Sequence, residues 1–198
     1  MNAIDPRDFR EPPAARLPMH AECDVAALVY GPDDDPDPHL RAFFERRLGE
    51  GWDALALLQE RLPLGDDDPR RRCRLRLAGD PEIDAAAADP HAGRDVVTEM
   101  GGRLTRLIDR GPDVLVLNRF GRSEARGEGL FSLLRLAVER ELPIVIAVPE
   151  GLFSTWLACA GGLAVRVWPR DGALERWWGS LGAASTASAE ESACAAWK

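Results

Sequence analysis

The chain has 198 residues, of which 45% are hydrophobic and 29% charged, a balance typical of one globular domain and not of a disordered chain. Its formal net charge of −8 argues against a general nucleic-acid binder, because neutralising phosphates requires a basic face. No apolar run reaches the roughly 18 residues of a membrane span, and the four cysteines form no C-x-x-C pair, which favours a reduced, cytoplasmic protein.

The two ends of the chain differ from its middle. Residues 1–22 contain four prolines among charged residues, which predicts a flexible leader because proline interrupts regular hydrogen bonding. Residues 179–198 are small and polar, which predicts a disordered tail. A single domain is therefore expected over residues 23–178.

The first half of this domain is predicted to begin with a β-α-β unit. The apolar run Asp24–Tyr30 favours a buried strand, residues 39–49 place apolar side chains on one helical face, and Asp53–Gln59 favours a second strand. The segment 62–93 is irregular, and within it only Cys73–Leu77 alternates as a half-exposed strand does.

The second half alternates helices with strands. Helical spacing of apolar residues runs over 97–108, 130–138 and 152–160, and apolar runs that favour strands are Asp113–Leu117, Pro143–Val148 and Leu163–Trp168. Such alternation predicts an α/β fold in three layers, with a doubly wound, mainly parallel sheet of the Rossmann-like or P-loop NTPase-like kind.

The loop over residues 118–129 is the strongest candidate site, because ligands of open α/β sheets bind outside the carboxyl ends of the strands. Its glycines permit close backbone approach, its arginines can bind an oxyanion, and it opens a helix whose first amides are free donors. The candidate ligand-binding residues are Asn118, Arg119, Gly121, Arg122, Glu124, Gly127 and Gly129. The alternative is a solvated connection in which an acid caps the helix.

Two neighbours in this loop are expected to point in opposite directions. Side chains alternate in an extended stretch, so burial of Phe120 would leave Arg119 free to point toward a ligand.

The same loop resembles DUF2478, a family of bacterial proteins of unknown function whose genes often accompany molybdate-transport genes. The resemblance covers about residues 23–178 and rests on Val29–Tyr30, Asn118–Arg122, Glu124–Ala125, Gly127, Gly129–Leu130 and Ala160–Ala164. It implies an outline similar to a small P-loop nucleoside-triphosphatase and a link to molybdenum metabolism. The family tends to carry a longer cysteine-containing central segment than this chain has around Cys73.

The chain departs from an active P-loop protein at two places. A Walker A loop reads G-x-x-x-x-G-K-[ST], whereas Gly31–Pro38 contains prolines and four aspartates that repel phosphate, so the loop is expected to be degenerate. Asn118 stands where a metal-holding acid is expected, which argues against ordinary ATP hydrolysis.

Other clusters have structural explanations that weigh more than functional ones. The aspartates at 33, 34, 35 and 37 fit no calcium-loop spacing, so we expect a solvated acidic loop and no metal site. The arginines between Arg70 and Arg76 are expected to pair with the aspartates at 66–68 at the surface. Cys159 is expected in the core, and the three histidines lie far in sequence from Cys159 and Ser154. The tryptophans at 156, 168, 177 and 178 either pack the C-terminal helix or form a partner surface.

Three functions remain open from the sequence. The first is a non-catalytic accessory protein that binds an oxyanion such as molybdate, or a nucleotide, at the 118–129 loop. The second is a nucleotide hydrolase with a non-standard phosphate site, in which Glu124 orients water. The third is a structural interaction protein that forms a homodimer or another complex through its tryptophan-bearing C-terminal region. The residues assign no cofactor and no catalytic group.

Overall fold

The computed structural model of the chain describes residues 24–61, 73–79, 87–88, 94–161, 164–170 and 172–181. The predicted leader and the predicted tail beyond Leu181 lie outside the described residues. The aspartates at 66–68, Arg70–Arg72, His20, His91, Cys23 and Cys194 also lie outside them.

Seven strands, six α-helices and a short 3-10 helix (Glu150–Leu152) lie in the described part of the chain. The strands are β1 (Val25–Tyr30), β2 (Ala54–Arg61), β3 (Cys73–Ala78), β4 (Ala87–Ala88), β5 (Val114–Leu117), β6 (Ile144–Pro149) and β7 (Ala164–Val167). The helices are α1 (Asp37–Gly49), α2 (Arg94–Ile108), α3 (Arg122–Ala125), α4 (Phe131–Glu139), α5 (Phe153–Ala160) and α6 (residues 173–181).

The strands form one mainly parallel sheet, as predicted. Their order is β4-β3-β2-β5-β6-β1-β7. All neighbours from β2 to β7 are parallel, whereas β3 and β4 extend the edge beside β2 in antiparallel fashion. Because the chain moves from β1 outward to β2 and then returns through β5 and β6, the sheet is doubly wound.

Helices cover both faces of the sheet, because successive side chains of each strand point to opposite sides. Val25, Ala27 and Val29 of β1 face a core that includes residues of α2, α4 and α5. Ala26 and Leu28 face a second core, which includes residues of α1 and α6. This division gives the predicted three layers, and it explains why the strands β1, β5 and β6 are apolar throughout.

Helix α6 extends past the predicted start of the tail. Residues 179–181 are helical, and Trp177 and Leu174 are buried against the core on the α1 side. The sequence did not predict the end of this helix, because its buried apolar residues, Leu174 and Trp177, lie before the point at which the composition becomes small and polar.

Arg47 of α1 connects α1 to α6. Its side chain is only 2% exposed, and its guanidinium is bound to Glu175 of α6 and lies 3.2 Å from a carboxylate oxygen of Glu50. The same guanidinium stacks 5.0 Å from the ring centre of Phe43 and 5.3 Å from that of Trp178. The ion pairs and the stacking together hold α6 on the sheet.

We expect Arg47→Ala to lower the free energy of unfolding by about 1.5–3 kcal/mol, because it removes the buried partner of two carboxylates and the stacked guanidinium, and leaves the carboxylates only the exposed Arg46. The carboxylates are partly exposed, which keeps the loss below that of a fully buried pair. Urea denaturation measures the change. Arg46→Ala is the matched control, since Arg46 is the next residue of α1, contacts the same two glutamates and is 60% exposed. An equal loss of stability in both variants would contradict the conclusion that the buried Arg47 holds α6 on the sheet.

Candidate functional site

The carboxyl ends of β1 and β6 form the topological switch point of the sheet. The two strands are parallel neighbours, and the helices that follow them, α1 and α5, pack on opposite faces. Where the chain leaves two adjacent strands in opposite directions, open α/β sheets bind their ligands. The side chains at this edge are therefore the first to consider.

Three side chains from distant parts of the chain meet at this edge. Tyr30 ends β1, Asp37 begins α1, and Arg119 follows β5. Nη2 of Arg119 lies 3.3 Å from Oδ1 and 3.2 Å from Oδ2 of Asp37, and the guanidinium carbon lies 5.7 Å from the centre of the Tyr30 ring. We call Tyr30, Asp37 and Arg119 the switch-point cluster.

The guanidinium of Arg119 is only partly satisfied. Within the described part of the chain, its hydrogen bonds are the two that Nη2 donates to the carboxylate of Asp37, and both are long, at 3.3 and 3.2 Å. The buried Nε has no hydrogen-bond partner there. The side chain as a whole is 34% exposed, whereas Asp37 is 8% exposed. A buried donor without an acceptor costs about 1–3 kcal/mol, and the exposed third of the side chain is the part that a ligand can reach.

The switch-point cluster also controls the ionisation of its phenol. Burial raises the pKa of Tyr30 above its ordinary value, and the carboxylates of Asp37 and Asp35 raise it further, while Arg119 acts in the opposite direction. The hydroxyl group of Tyr30 is therefore protonated at neutral pH and can donate a hydrogen bond.

Glu124 is bound by backbone amides of its own loop. Its Oε2 accepts a hydrogen bond of 2.9 Å from the amide of Gly121, and its Oε1 accepts one of 3.0 Å from the amide of Leu130. The side chain is 6% exposed. Glu124 therefore makes one half of a capping box, because its carboxylate accepts from the N-cap amide of α3 while Gly121 has no side chain to make the other half. The bond from Leu130 extends the contact to the start of α4, and the arrangement matches the structural alternative in which an acid caps a helix.

The glycines of the loop make room for this carboxylate. A Cβ atom at Gly129 would lie 2.3 Å from Oε1 of Glu124, and one at Gly121 would lie 3.1 Å from Oε2. Gly129 and Gly127 also have positive φ angles, of 58° and 78°, which side chains disfavour. The glycines are therefore explained by the backbone turns of the loop and by the space that Glu124 occupies. We call residues 121–130 the Glu124 clasp.

The remaining candidate residues lie apart from one another. Asn118 is 7% exposed and donates a hydrogen bond of 3.1 Å to the Gln59 side chain, at the adjacent ends of β5 and β2. Arg122 is exposed on α3. The predicted set thus divides into Asn118 and Arg119 at the strand ends, the Glu124 clasp, and one surface arginine.

Phe120 points inward, as the alternation predicted. It is fully buried, its amide donates a hydrogen bond of 2.8 Å to the carbonyl of Ala147, and its ring centre lies 5.1 Å from that of Trp156. The buried ring places Arg119 on the opposite side of the chain, toward Asp37.

Sequence reasoning missed Tyr30, Asp37 and Gln59 as members of this edge. Tyr30 and Gln59 are the polar residues near the carboxyl ends of two predicted strands, which was a usable signal. Asp37 was assigned to a solvated acidic loop, although it is in fact nearly buried against Arg119.

The other sequence candidates fall into structural roles. Cys159 is buried, and burial raises the pKa of its thiol, so it is a core residue as predicted. Trp156 and Trp177 are buried while Trp168 is 38% exposed, so the four tryptophans form no common exposed surface. Among the described residues, no three His, Cys, Asp or Glu side chains are grouped to hold a metal ion. None of the described helices is long and apolar enough to cross a membrane.

The comparison with curated proteins finds a distant relative that is much longer than this chain. The chain is 29% identical over 179 residues to the molybdenum import ATP-binding protein ModC 2 of Bradyrhizobium diazoefficiens. The match takes in 78% of this chain and 18% of the relative, so the chain spans less than a fifth of that protein's length. No solved structure matches the chain.

The comparison with protein families covers most of the described fold. The sequence profile of DUF2478, described as a protein of unknown function, matches residues 25–177, from the first residue of β1 to Trp177 of α6. That span contains the switch-point cluster and the Glu124 clasp, and on this match the chain belongs to the DUF2478 family.

Proposed function

We propose that this chain is a non-catalytic binding module that takes a small oxyanion or the phosphate of a nucleotide at Arg119 and serves molybdenum import. The observation that carries the proposal is the guanidinium of Arg119, one-third exposed at the switch point and with a buried Nε that has no acceptor in the described part of the chain. A bound oxyanion accepts charge-assisted hydrogen bonds from the exposed part of this guanidinium.

The link to molybdenum import rests on similarity to a protein with that printed role. Because the chain spans only 18% of that protein, the link extends to a shared module and not to the transport activity as a whole.

Two observations favour binding over nucleotide hydrolysis. Both carboxylate oxygens of Glu124 accept hydrogen bonds from backbone amides, which leaves this side chain poorly placed to orient an attacking water. At the first turn of α1, where a P-loop protein presents free amides to phosphate, this chain places the carboxylate of Asp37. A hydrolase would need other groups for both tasks.

We expect Arg119→Ala to weaken anion binding by about 10- to 150-fold, because it removes a charge-assisted hydrogen bond worth about 1.5–3 kcal/mol. Calorimetric titration with molybdate, tungstate, sulfate, phosphate and ATP measures the affinity of each for the native chain and the variant. Arg135→Ala is the control, since Arg135 is 59% exposed on α4 and lies outside the switch-point cluster.

A thermal melt of each variant accompanies the titration, so that a loss of folded protein is not mistaken for a loss of affinity. Absence of heat with all five ligands on the native chain would sink the proposal. So would an Arg119→Ala variant that is folded and binds as tightly as the native chain.

A further inference from the structure

The anion site proposed at Arg119 has one carboxylate, that of Asp37, in direct contact and a second, that of Asp35, bound to the amide of Asp37. Both oxygens of Asp37 lie within 3.3 Å of Nη2, and Oδ1 of Asp35 lies 3.2 Å from the amide nitrogen of Asp37. A ligand oxygen that binds this guanidinium must therefore settle beside the Asp37 carboxylate. The surroundings of Arg119 are amphoteric, with positive and negative groups in one place.

We infer that the switch-point cluster selects a phosphate group that keeps a hydrogen on one of its oxygens, over fully deprotonated oxyanions such as sulfate and molybdate. The inference rests on the proposed binding function of Arg119 and names the ligand class for that same site. It also places the link to molybdenum import with a phosphate-bearing ligand and not with molybdate.

The physical reason is the contact between the ligand and Asp37. A deprotonated oxyanion has only acceptors, so beside a carboxylate that is 8% exposed it meets like charge that water screens weakly. A phosphate with an O–H group donates that hydrogen to the carboxylate and accepts hydrogen bonds from Arg119 with its other oxygens. One hydrogen thus turns a repulsion into a hydrogen bond, and sites built on such bonds discriminate strongly against analogues without the donor.

Tyr30 fits the same ligand. Its ring lies beneath the guanidinium of Arg119, and its hydroxyl group is protonated at neutral pH, so it adds a donor for a deprotonated oxygen of the ligand. The cluster then offers donors on Tyr30 and Arg119 and an acceptor on Asp37, which is the complement of a hydrogen phosphate.

The inference is tested by calorimetry near pH 6.5 and at constant ionic strength, with phosphate, sulfate, molybdate and AMP. Phosphate keeps a hydrogen at this pH, and so does part of the AMP, because the second pKa of a phosphomonoester is about 6. We expect phosphate to bind at least about tenfold more tightly than sulfate and molybdate. Binding of phosphate alone identifies the free ion as the ligand, and binding of AMP as well extends the site to phosphomonoesters.

The variant Asp37→Asn tests the cause. It removes the negative charge and is expected to bring the affinities for phosphate and sulfate within about threefold of each other. Asp33→Asn is the matched control, because Asp33 is exposed in the same loop and its replacement changes the net charge equally while the preference for phosphate remains.

The outcomes separate this inference from the proposed function. If none of the four anions binds the native chain, this inference falls, and the proposed function falls with it when tungstate and ATP also fail to bind. If sulfate or molybdate binds as tightly as phosphate, the selectivity is wrong while anion binding at Arg119 stands. An Asp37→Asn variant that is folded and keeps the native preference would also overturn the selectivity, and the ratio measured on the native chain decides the matter if that variant does not fold.

Discussion

Replacing Glu124 by alanine is expected to lower the free energy of unfolding by about 3–5 kcal/mol, because two amides that donate to its carboxylate lose a charged acceptor. The amides of Gly121 and Leu130 lie 2.9 and 3.0 Å from the carboxylate oxygens, and Glu124 is 6% exposed. Urea denaturation followed by circular dichroism measures the loss.

The control for this prediction is Glu128→Ala in the same loop. Glu128 is 44% exposed and its pair with Arg126, at 3.3 Å, joins two exposed side chains, so its removal is expected to cost less than about 1 kcal/mol. Glu124→Gln keeps one acceptor oxygen and should lie between the native chain and Glu124→Ala. A Glu124→Gln variant with native stability but without phosphate release from ATP would instead favour the hydrolase hypothesis.

Replacing Phe120 by alanine is expected to destabilise the fold by about 3–5 kcal/mol, the range observed when a buried aromatic ring is removed and its cavity is not refilled. Phe120 is fully buried beneath the strand ends and packs edge to face with Trp156, which is also fully buried. Because Phe120 is the next residue after Arg119 and its ring holds the chain in place there, the variant should also weaken anion binding at temperatures where it remains folded.

Two further variants test the packing explanation for Phe120. Phe120→Leu retains most of the apolar volume and should lose less than half as much stability as Phe120→Ala. Phe153→Ala removes the same side chain from a half-buried position on α5, and its cost should also be smaller. Equal losses for Phe120→Ala and Phe153→Ala would show that burial beneath the strand ends is not what makes Phe120 important.

The two predictions concern neighbours in the loop that the sequence singled out. They assign its most distinctive residues to structure: Phe120 anchors the loop in the core, and Glu124 organises the backbone from Gly121 to Leu130. We propose Arg119 as the ligand-binding member of the loop, because its buried Nε has no acceptor in the described part of the chain. On this proposal, most of the distinctive residues of the loop support a single binding group.

The sequence by itself determined the fold class, and it singled out the loop after β5 as the candidate site. Apolar runs and helical spacing located the parallel strands β1, β5 and β6 and the helices between them, because burial on both faces requires strands that are apolar throughout. Alternation also predicted the inward turn of Phe120, since it depends only on local backbone geometry.

Only the tertiary structure decided what each polar side chain of the loop does. Arg119 and Asp37 are 82 residues apart in the chain. They meet because β5, β6 and β1 are parallel neighbours, so that the carboxyl ends of β1 and β5 lie at the same edge of the sheet with only β6 between them. The sequence also could not show that the carboxylate of Glu124 accepts hydrogen bonds from the amides of Gly121 and Leu130. That arrangement depends on the positive φ angles within the loop. Local patterns record which side chains favour a strand, a helix or burial, whereas the partners of a charged group are set by long-range topology, which those patterns do not contain.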